Sequence, residues 1–281
     1  MKPGLACQEM ISGFHPKGFH VHDAIGFIGT GHIAAAVVEG LVTAPGPVPR
    51  ICVSPRNAQK AAELAKRFAT VTVAPDNQSV IDRSRTVFLS VRPQVALDVI
   101  RALKFAAGQT IVSLIPLPLS GLAPLVAPAG RFVRALPLPP CARRHGAVPY
   151  WPPAAEVHDL LTRLGQPLPL SAEHDLNVLW AATAMIAPYY ALLETVSDWC
   201  AARGAAPDTA ADYTAAMFNA LAGAALSDGP GRFSHLAAAA ATPGGLNEQA
   251  VGMIRQGGAF ARVREALDAI FLRLTRPPTT P

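Results

Sequence analysis

The amino-acid sequence predicts an α/β protein in which a doubly wound, parallel β-sheet is followed by an all-helical domain. Two observations support this prediction. Up to Pro167, short runs rich in β-branched residues alternate with alanine-rich stretches, as in successive βαβ units. Beyond Pro167, Ala, Leu and Met recur at helical spacing and strand-forming residues are few.

Each element follows from its local pattern. The strand segments are short and apolar without alternation, which is typical of strands covered by helices on both faces. They lie at 24–28, 50–53, 71–74, 86–90, 110–114 and 131–135, with helices at 33–42 and 58–68. A long helix at 181–203 is apolar on nearly every side, so it needs burial that its own domain cannot supply. A second subunit is the natural partner for it.

These elements divide the chain into four segments. We expect the sheet domain at 23–168 and the helical domain at 169–275. An irregular tail at 1–22 precedes them, without the apolar core of a secretory signal, and a Pro- and Thr-rich tail at 276–281 follows a final helix. A Pro/Gly break at 228–232 interrupts the helical domain.

Composition and charge exclude several classes of function. Of the 281 residues, 51% are hydrophobic and 15% charged, which permits sizeable cores and argues against disorder. The net charge of +5 comes from scattered basic residues, so we expect no nucleic-acid partner. No apolar run approaches the ~20 residues of a membrane span, and we expect no membrane partner.

The cysteines and histidines indicate neither a disulfide framework nor a metal site. Cys7, Cys52, Cys141 and Cys200 are far apart, and the histidines lack the spacing of metal ligands. Cys52 and Cys200 lie in strand-like and helix-like runs, as buried small hydrophobic residues often do. We therefore expect a cytoplasmic protein without a bound metal.

A glycine motif between the first strand and the first helix predicts a dinucleotide site. Gly29-x-Gly31-x-x-Ala34 has the spacing of the Rossmann fingerprint. Gly29 would form the tight turn, Gly31 would let the backbone approach a diphosphate, and Ala34 would let the helix pack closely on the strand. The helix N-terminus adds a partial positive charge. The first domain is therefore predicted to be a Rossmann domain.

The end of the second predicted strand indicates which dinucleotide is bound. An acidic residue there usually accepts a hydrogen bond from the ribose 2′-hydroxyl of NAD. This sequence has none, whereas Ser54, Arg56 and Asn57 can donate to a 2′-phosphate, Arg56 with charge assistance. The sequence therefore favours NADPH over NADH.

A second motif lies between helical runs in the C-terminal domain. Thr242-Pro-Gly-Gly245 precedes a helix, and such a turn can form a nest of backbone N–H groups for a small carboxylate. The same turn can equally be a helix cap without a ligand. The motif alone leaves both interpretations open.

Together the motifs resemble one family, the pyrroline-5-carboxylate reductases. Six segments follow the order and spacing of that family over most of the chain. They are Gly26-Phe-Ile-Gly-Thr-Gly31, Phe88-Leu-Ser-Val-Arg-Pro-Gln94, Arg134-Ala-Leu-Pro137, Ala187-Pro-Tyr189, Thr242-Pro-Gly-Gly245 and Gly257-Gly-Ala-Phe260.

The resemblance implies an NADPH-dependent enzyme whose helical domain forms an interlocked homodimer, often assembled into rings. Its reaction would transfer hydride from nicotinamide C4 to the C=N carbon of a cyclic imino acid, converting pyrroline-5-carboxylate to proline. By position, the diphosphate would be held by Gly29, Thr30, Gly31, His32 and Ile33, the 2′-phosphate by Ser54, Arg56 and Asn57, and the nicotinamide ribose by Val91, Arg92 and Pro93. The substrate would be held by Thr242, Gly244, Gly245, Leu246 and Asn247, with Thr242 and Asn247 as catalytic residues.

The sequence departs from the family pattern in four regions. Asn247 stands where the family usually has a Thr that bonds the imine nitrogen, and Leu138 replaces a polar Asn. Ile115-Pro-Leu117 replaces an Ala-Gly turn, and Ala182–Met185 (182–185) replaces a Ser/Gly run. Because most of these changes are bulkier and less polar, we expect a larger or less polar imine as substrate.

Two alternatives remain at the sequence level. One is a catalytically inactive relative that senses dinucleotides and regulates another process. The other is a two-domain dehydrogenase of the β-hydroxyacid type, which normally carries a catalytic Lys on the long helix between its domains. The segment 181–203 contains no Lys, which counts against that second alternative.

Overall fold

The computed structural model describes residues 24–226 and 232–275 in two compact units. The first unit ends at Leu176 and the second begins at Asn177. The predicted boundary at 168/169 lies slightly earlier in the chain. The predicted tails at 1–22 and 276–281, and most of the predicted break at 228–232, lie outside the described residues.

The first unit contains one eight-stranded sheet with the strand order β3-β2-β1-β4-β5-β6-β7-β8. The strands are β1 (Ala24–Ile28), β2 (Ile51–Val53), β3 (Val71–Val73), β4 (Ser84–Leu89), β5 (Thr110–Ser113), β6 (Arg131–Ala135), β7 (Ala147–Trp151) and β8 (Gln166–Pro169). The helices are α1 (His32–Thr43), α2 (Ala58–Arg67), α3 (Asn77–Asp82), α4 (Pro93–Arg101), α5 (Leu119–Val126) and α6 (Ala155–Thr162), with a 3-10 turn at Pro139–Arg143. The predicted Rossmann-type architecture is confirmed.

The strands β1 to β6 are parallel, and the strand order reverses between β1 and β4. Their apolar side chains supply two separate cores, one on each face, as expected for a sheet covered by helices on both sides. The rings of Phe27 and Phe88 stack within the first core at a centroid distance of 4.8 Å. The crevice at such a reversal is where open α/β sheets bind ligands.

The six predicted strands are parallel as expected, and two further strands make the whole sheet mixed. The strands β7 and β8 were not predicted, and β7 pairs antiparallel to β6. Both contain proline, which cannot donate a ladder hydrogen bond and therefore lowers the strand propensity of these segments. They extend the sheet at the edge farthest from the glycine motif.

A buried ion pair connects three elements of the first unit. The Arg134 side chain on β6 is 1% exposed, and its Nη1 lies 2.7 Å from Oε1 of Glu173. The same Glu173 oxygen accepts a hydrogen bond of 2.7 Å from the backbone N–H of Leu119 at the start of α5. Burial lowers the pKa of Arg134, and the bond to Glu173 opposes that shift.

The second unit is helical and comprises α7 (Glu173–Ala182), α8 (Ile186–Ala202), α9 (Pro207–Leu226), α10 (Arg232–Ala240), α11 (Leu246–Gln256) and α12 (Ala259–Thr275), with α7 beginning in the first unit. The helix predicted at 181–203 is divided by a 3-10 turn at Thr183–Met185. Pro188 explains the turn, because proline lacks the N–H that would bond to Ala184 and its ring would clash with that carbonyl.

The segment Glu173–Ala202 corrects the expectation that no apolar run approaches the length of a membrane span. It has 30 residues with a mean hydropathy of 1.4 in its most apolar window, enough by length and composition to cross a bilayer. One such helix is weak evidence for a membrane, since the core helix of a soluble protein passes the same test.

The helical unit buries little of its apolar surface within the chain. No residue of α8 is buried, and α9 buries only Ala210 and Thr214. Large apolar side chains on these helices are mostly exposed to solvent: Tyr190 is 61% exposed, Trp199 60% and Leu221 61%. The burial that the sequence demands for the long helix is therefore not provided within the described chain.

Candidate functional site

The glycine turn lies at the carboxyl end of β1, where the strand order reverses. Gly29 has a φ of +97°, and a Cβ on it would come within 2.7 Å of the Ser90 carbonyl oxygen. Gly31 is different, since a Cβ there would meet no protein atom within 4 Å. The first glycine is therefore required by the fold, whereas the second keeps a space open above the backbone.

Helix α1 begins at His32 directly after this open position. Its N-cap, Gly31, makes no side-chain capping bond, and the first turn carries no acidic residue. The positive end of the helix dipole is therefore not neutralised by the helix itself. Ala34 is fully buried, as predicted for a helix packed closely on the strand. These features fit a dinucleotide diphosphate at the helix N-terminus.

Ser54, at the end of β2, is fully buried and contacts the glycine turn. Its hydroxyl accepts a 2.9 Å hydrogen bond from the backbone N–H of Gly29, and its carbonyl oxygen accepts one of 2.8 Å from the Thr30 hydroxyl. The two hydroxyl oxygens are 3.2 Å apart. The structure therefore gives Ser54 partners within the protein, in contrast to the predicted contact with a 2′-phosphate.

Arg56 and Asn57 are exposed beside the same turn. The Asn57 amide donates to the Thr30 carbonyl oxygen at 3.1 Å, and its side-chain oxygen caps α2 by accepting from the Lys60 N–H at 3.4 Å. Within the described part of the chain, no hydrogen bond or ion pair engages the Arg56 guanidinium. Arg56 is therefore the residue of this group whose donors are available to a ligand.

The residues after β4 approach the glycine turn from the neighbouring strand. The Ser90 hydroxyl donates a 2.6 Å hydrogen bond to the Gly29 carbonyl oxygen. A Cβ on Gly29 would lie 3.0 Å from Cγ1 of Val91, so Val91 borders the turn. Arg92 is exposed and occupies the N-cap position of α4 without a side-chain capping bond, and the helix begins at Pro93. The structure thus brings this predicted segment next to the diphosphate turn.

The second predicted motif forms a tight turn in the helical unit. The Gly245 N–H donates to the Thr242 carbonyl oxygen at 2.8 Å, and Gly244 has a φ of +71°. A Cβ on Gly245 would come within 2.4 Å of the Thr242 hydroxyl, so both glycines are required. The Asn247 amide donates to the Ala240 carbonyl oxygen at 3.2 Å and ties α11 to the end of α10.

One contact at this turn was not predicted. The backbone N–H of Gly244 donates to a carboxylate oxygen of Glu248 at 2.8 Å. Glu248 lies in the first turn of α11, where the pattern of a glycine N-cap followed three residues later by Glu could have indicated it. Two N–H groups of the predicted nest, those of Gly244 and Gly245, are therefore bonded to oxygens of the protein itself.

Comparisons with known proteins agree with this arrangement. A family model described as "NADP oxidoreductase coenzyme F420-dependent" matches residues 24–116. The pyrroline-5-carboxylate reductase of Pseudomonas aeruginosa is 29% identical, with 87% of this chain and 93% of that protein covered. Over most of its length the chain is similar to pyrroline-5-carboxylate reductases, at modest identity.

Solved structures of the family share the fold over nearly their whole length. The enzyme from Streptococcus pyogenes superposes with a TM-score of 0.76 at 22% identity, covering 91% of this chain and 99% of that one. The Plasmodium falciparum pyrroline carboxylate reductase, solved with NADP bound, gives 0.77 at 16% identity, covering 90% and 97%. At these identities the likeness establishes the fold.

The four departures from the family pattern have different surroundings. Ile115 is fully buried in one of the two sheet cores, so it cannot line a site. Leu117 and Leu138 are only partly buried. The Ala182–Met185 region (182–185) contains the 3-10 turn that precedes Pro188. Ile115 therefore belongs to the core, and the effect of the other departures on the substrate stays a prediction.

Alanine at each of the two turn glycines separates folding from binding. Gly31→Ala is expected to leave stability nearly unchanged, because φ of −85° suits any residue and the Cβ meets nothing. It should weaken NADPH binding by about tenfold or more, since the methyl group occupies the space for the diphosphate. Gly29→Ala, the matched control, should lower the free energy of unfolding by about 1–3 kcal/mol. Urea denaturation and fluorescence titration measure the two effects, and wild-type affinity in Gly31→Ala would contradict the site.

Proposed function

We propose that this protein is an NAD(P)H-dependent oxidoreductase that reduces the C=N bond of a cyclic imine. The observation that carries the proposal is the glycine turn at the point where the strand order reverses, followed by a helix N-terminus without a cap or an acid. The similarity to pyrroline-5-carboxylate reductases over most of the chain supports the C=N bond as the reacting group. Pyrroline-5-carboxylate and bulkier, less polar imines are the candidate substrates.

The residues of the chain would mainly position the reactants. When bound, the nicotinamide supplies a hydride to the imine carbon, while the C=N electron pair moves to nitrogen. Gly29, Gly31 and the start of α1 would hold the diphosphate, and the segment 91–93 would lie along the nicotinamide ribose. Such a transfer to a protonated imine requires chiefly alignment and exclusion of water.

The turn in the helical unit would complete the site. Asn247 is held by its bond to Ala240, so its amide oxygen is a candidate acceptor for the iminium N–H. The Thr242 hydroxyl would lie beside it as a second hydrogen-bonding group. The surrounding turn, with Gly244, Gly245 and Leu246, would shape the substrate pocket, contributed in an assembled dimer by the helical unit of the partner copy.

Oxidation of NADPH by purified protein tests this proposal directly. We expect absorbance at the NADPH band to fall when a cyclic imine is added, with stoichiometric formation of the amine measured by mass spectrometry. Aldehydes and β-hydroxyacids with NADP⁺ are the negative controls. Tight NADPH binding with no consumption of any imine would instead identify a non-catalytic relative.

The cofactor preference rests on Arg56. Because Ser54 is buried against the turn, we propose that Arg56 alone donates to the 2′-phosphate and makes NADPH the preferred reductant. Arg56→Ala should raise KM for NADPH by about tenfold or more, the range of a charged hydrogen bond, and leave KM for NADH unchanged. Ser54→Ala should raise both KM values together, since it loosens the turn that both cofactors share.

Lys66→Ala on the far turn of α2 is the matched control for loss of a positive charge. It should change neither KM value. Equal weakening of both cofactors by Arg56→Ala would contradict the assignment of the 2′-phosphate to this residue.

We further propose that the exposed apolar face of α8 and α9 is covered by a second copy of the chain. Large exposed apolar patches mark interaction sites, and the helical unit has almost no buried residues of its own.

Sedimentation velocity tests this assembly. The wild type is expected at twice its monomer mass of 29.4 kDa or a higher multiple. Trp199→Glu on α8 should shift it toward the monomer, because a buried unpaired charge is costly. Glu39→Gln, on the sheet unit, should not. A wild-type monomer at micromolar concentration, or binding to lipid vesicles, would contradict the proposal.

A further inference from the structure

The carboxylate of Glu248 contacts the turn that is predicted to hold a substrate carboxylate. Its oxygen is 2.8 Å from the backbone N–H of Gly244, one of the groups on which a carboxylate nest depends. The Gly245 N–H is bonded to Thr242. The turn therefore presents an anion of its own and has already used two of its donors.

The neighbouring sequence offers no cation to offset this charge. Between Leu236 and Ile254 (236–254) the chain has no Lys, Arg or His, and Glu248 is its only charged side chain. The described side chains form no ion pair with Glu248. A second carboxylate placed on this turn would therefore meet an unpaired like charge within a few ångströms, whereas a positively charged iminium would be attracted.

We infer that Glu248 selects against substrates that carry a carboxylate, and that the protein reduces imines without one. This inference rests on the proposed function and narrows its substrate class. The iminium carbon would accept hydride from NAD(P)H while the C=N electron pair moves to nitrogen, giving a ring amine without a carboxylate rather than an amino acid. Glu248 acts as a specificity-determining residue and takes no part in the transfer.

A pair of substrates that differ only in the carboxylate tests the inference. The probes are 1-pyrroline and pyrroline-5-carboxylate, which share the same ring. The wild type should show a higher kcat/KM for 1-pyrroline. Glu248→Gln keeps a side-chain oxygen for the Gly244 N–H and so preserves the turn, because Gln also serves at this position of a capping box.

The Glu248→Gln variant should raise kcat/KM for pyrroline-5-carboxylate by about tenfold, the scale of one like charge removed at close range near the surface. For 1-pyrroline, kcat/KM should stay within about twofold of the wild-type value or fall below it. Loss of the anion cannot favour a cationic iminium, so no larger increase is expected. Asp208→Asn, which removes an acid from the first turn of α9, is the matched control and should change neither value.

Two further measurements each avoid one requirement: the first uses only the wild type, and the second needs no turnover. Added salt screens like-charge repulsion, so wild-type kcat/KM for pyrroline-5-carboxylate should rise with ionic strength, while that for 1-pyrroline should not.

In calorimetry with NADP⁺ present, wild type should bind pyrrolidine more tightly than L-proline, and Glu248→Gln should reduce the difference. Wild-type preference for the carboxylate compound, or an unchanged preference in Glu248→Gln, overturns the inference and leaves imine reduction intact. If neither imine is reduced but pyrrolidine is preferred in binding, only the proposed reaction fails.

Discussion

The close approach of three strand ends around Gly29 is the constraint on which the candidate site depends. The turn leaves β1 with a positive φ and lies against the Ser90 carbonyl oxygen, where no Cβ fits. Ser54 from β2 and Ser90 from β4 each bond to its backbone. Because these bonds fix the turn on both sides, the start of α1 and the open space above Gly31 have a defined position relative to the sheet.

The role of Ser54 shows how a short neutral residue can meet a requirement of the fold without repelling a phosphorylated ligand. A carboxylate at this position could not accept from the turn and also keep the 2′-phosphate of NADPH, because it would repel that phosphate. A neutral hydroxyl gives the Gly29 N–H a partner without that charge. The absence of an acid at the end of β2 is therefore compatible with both a stable turn and a phosphorylated cofactor.

Much of the sheet domain could be predicted because local signals there agree with the tertiary structure. The bounds of β1 and β6 match the predictions, and the glycine motif lies between a strand and a helix as expected. The strands β7 and β8 could not be predicted, since Pro149 and Pro167 oppose strand formation and only pairing at the sheet edge overcomes this. Cys52 is buried as expected, whereas Cys200 is only partly so.

The positions of the site residues could be predicted from the sequence, but the contacts of their side chains were harder to predict. Spacing placed Ser54 next to the dinucleotide turn, yet whether a hydroxyl faces a ligand or the Gly29 N–H depends on a separation between strands that sequence does not contain. The same holds for Ile115, whose apolar character suits a pocket and a core equally well and which lies in the core. For Arg134, the matched segment gave no role, and the structure gives it a buried partner in Glu173.

The buried pair of Arg134 and Glu173 fixes the start of α7 to the sheet of the first unit. Glu173 begins α7, the helix that continues into the helical unit, and its carboxylate is bonded to both Arg134 and the Leu119 N–H. Removing one member of a buried ion pair typically costs about 3–5 kcal/mol, since the remaining charge is left in a poorly solvated place. The first residue of α7 is therefore fixed to the sheet far more firmly than an exposed linker would be.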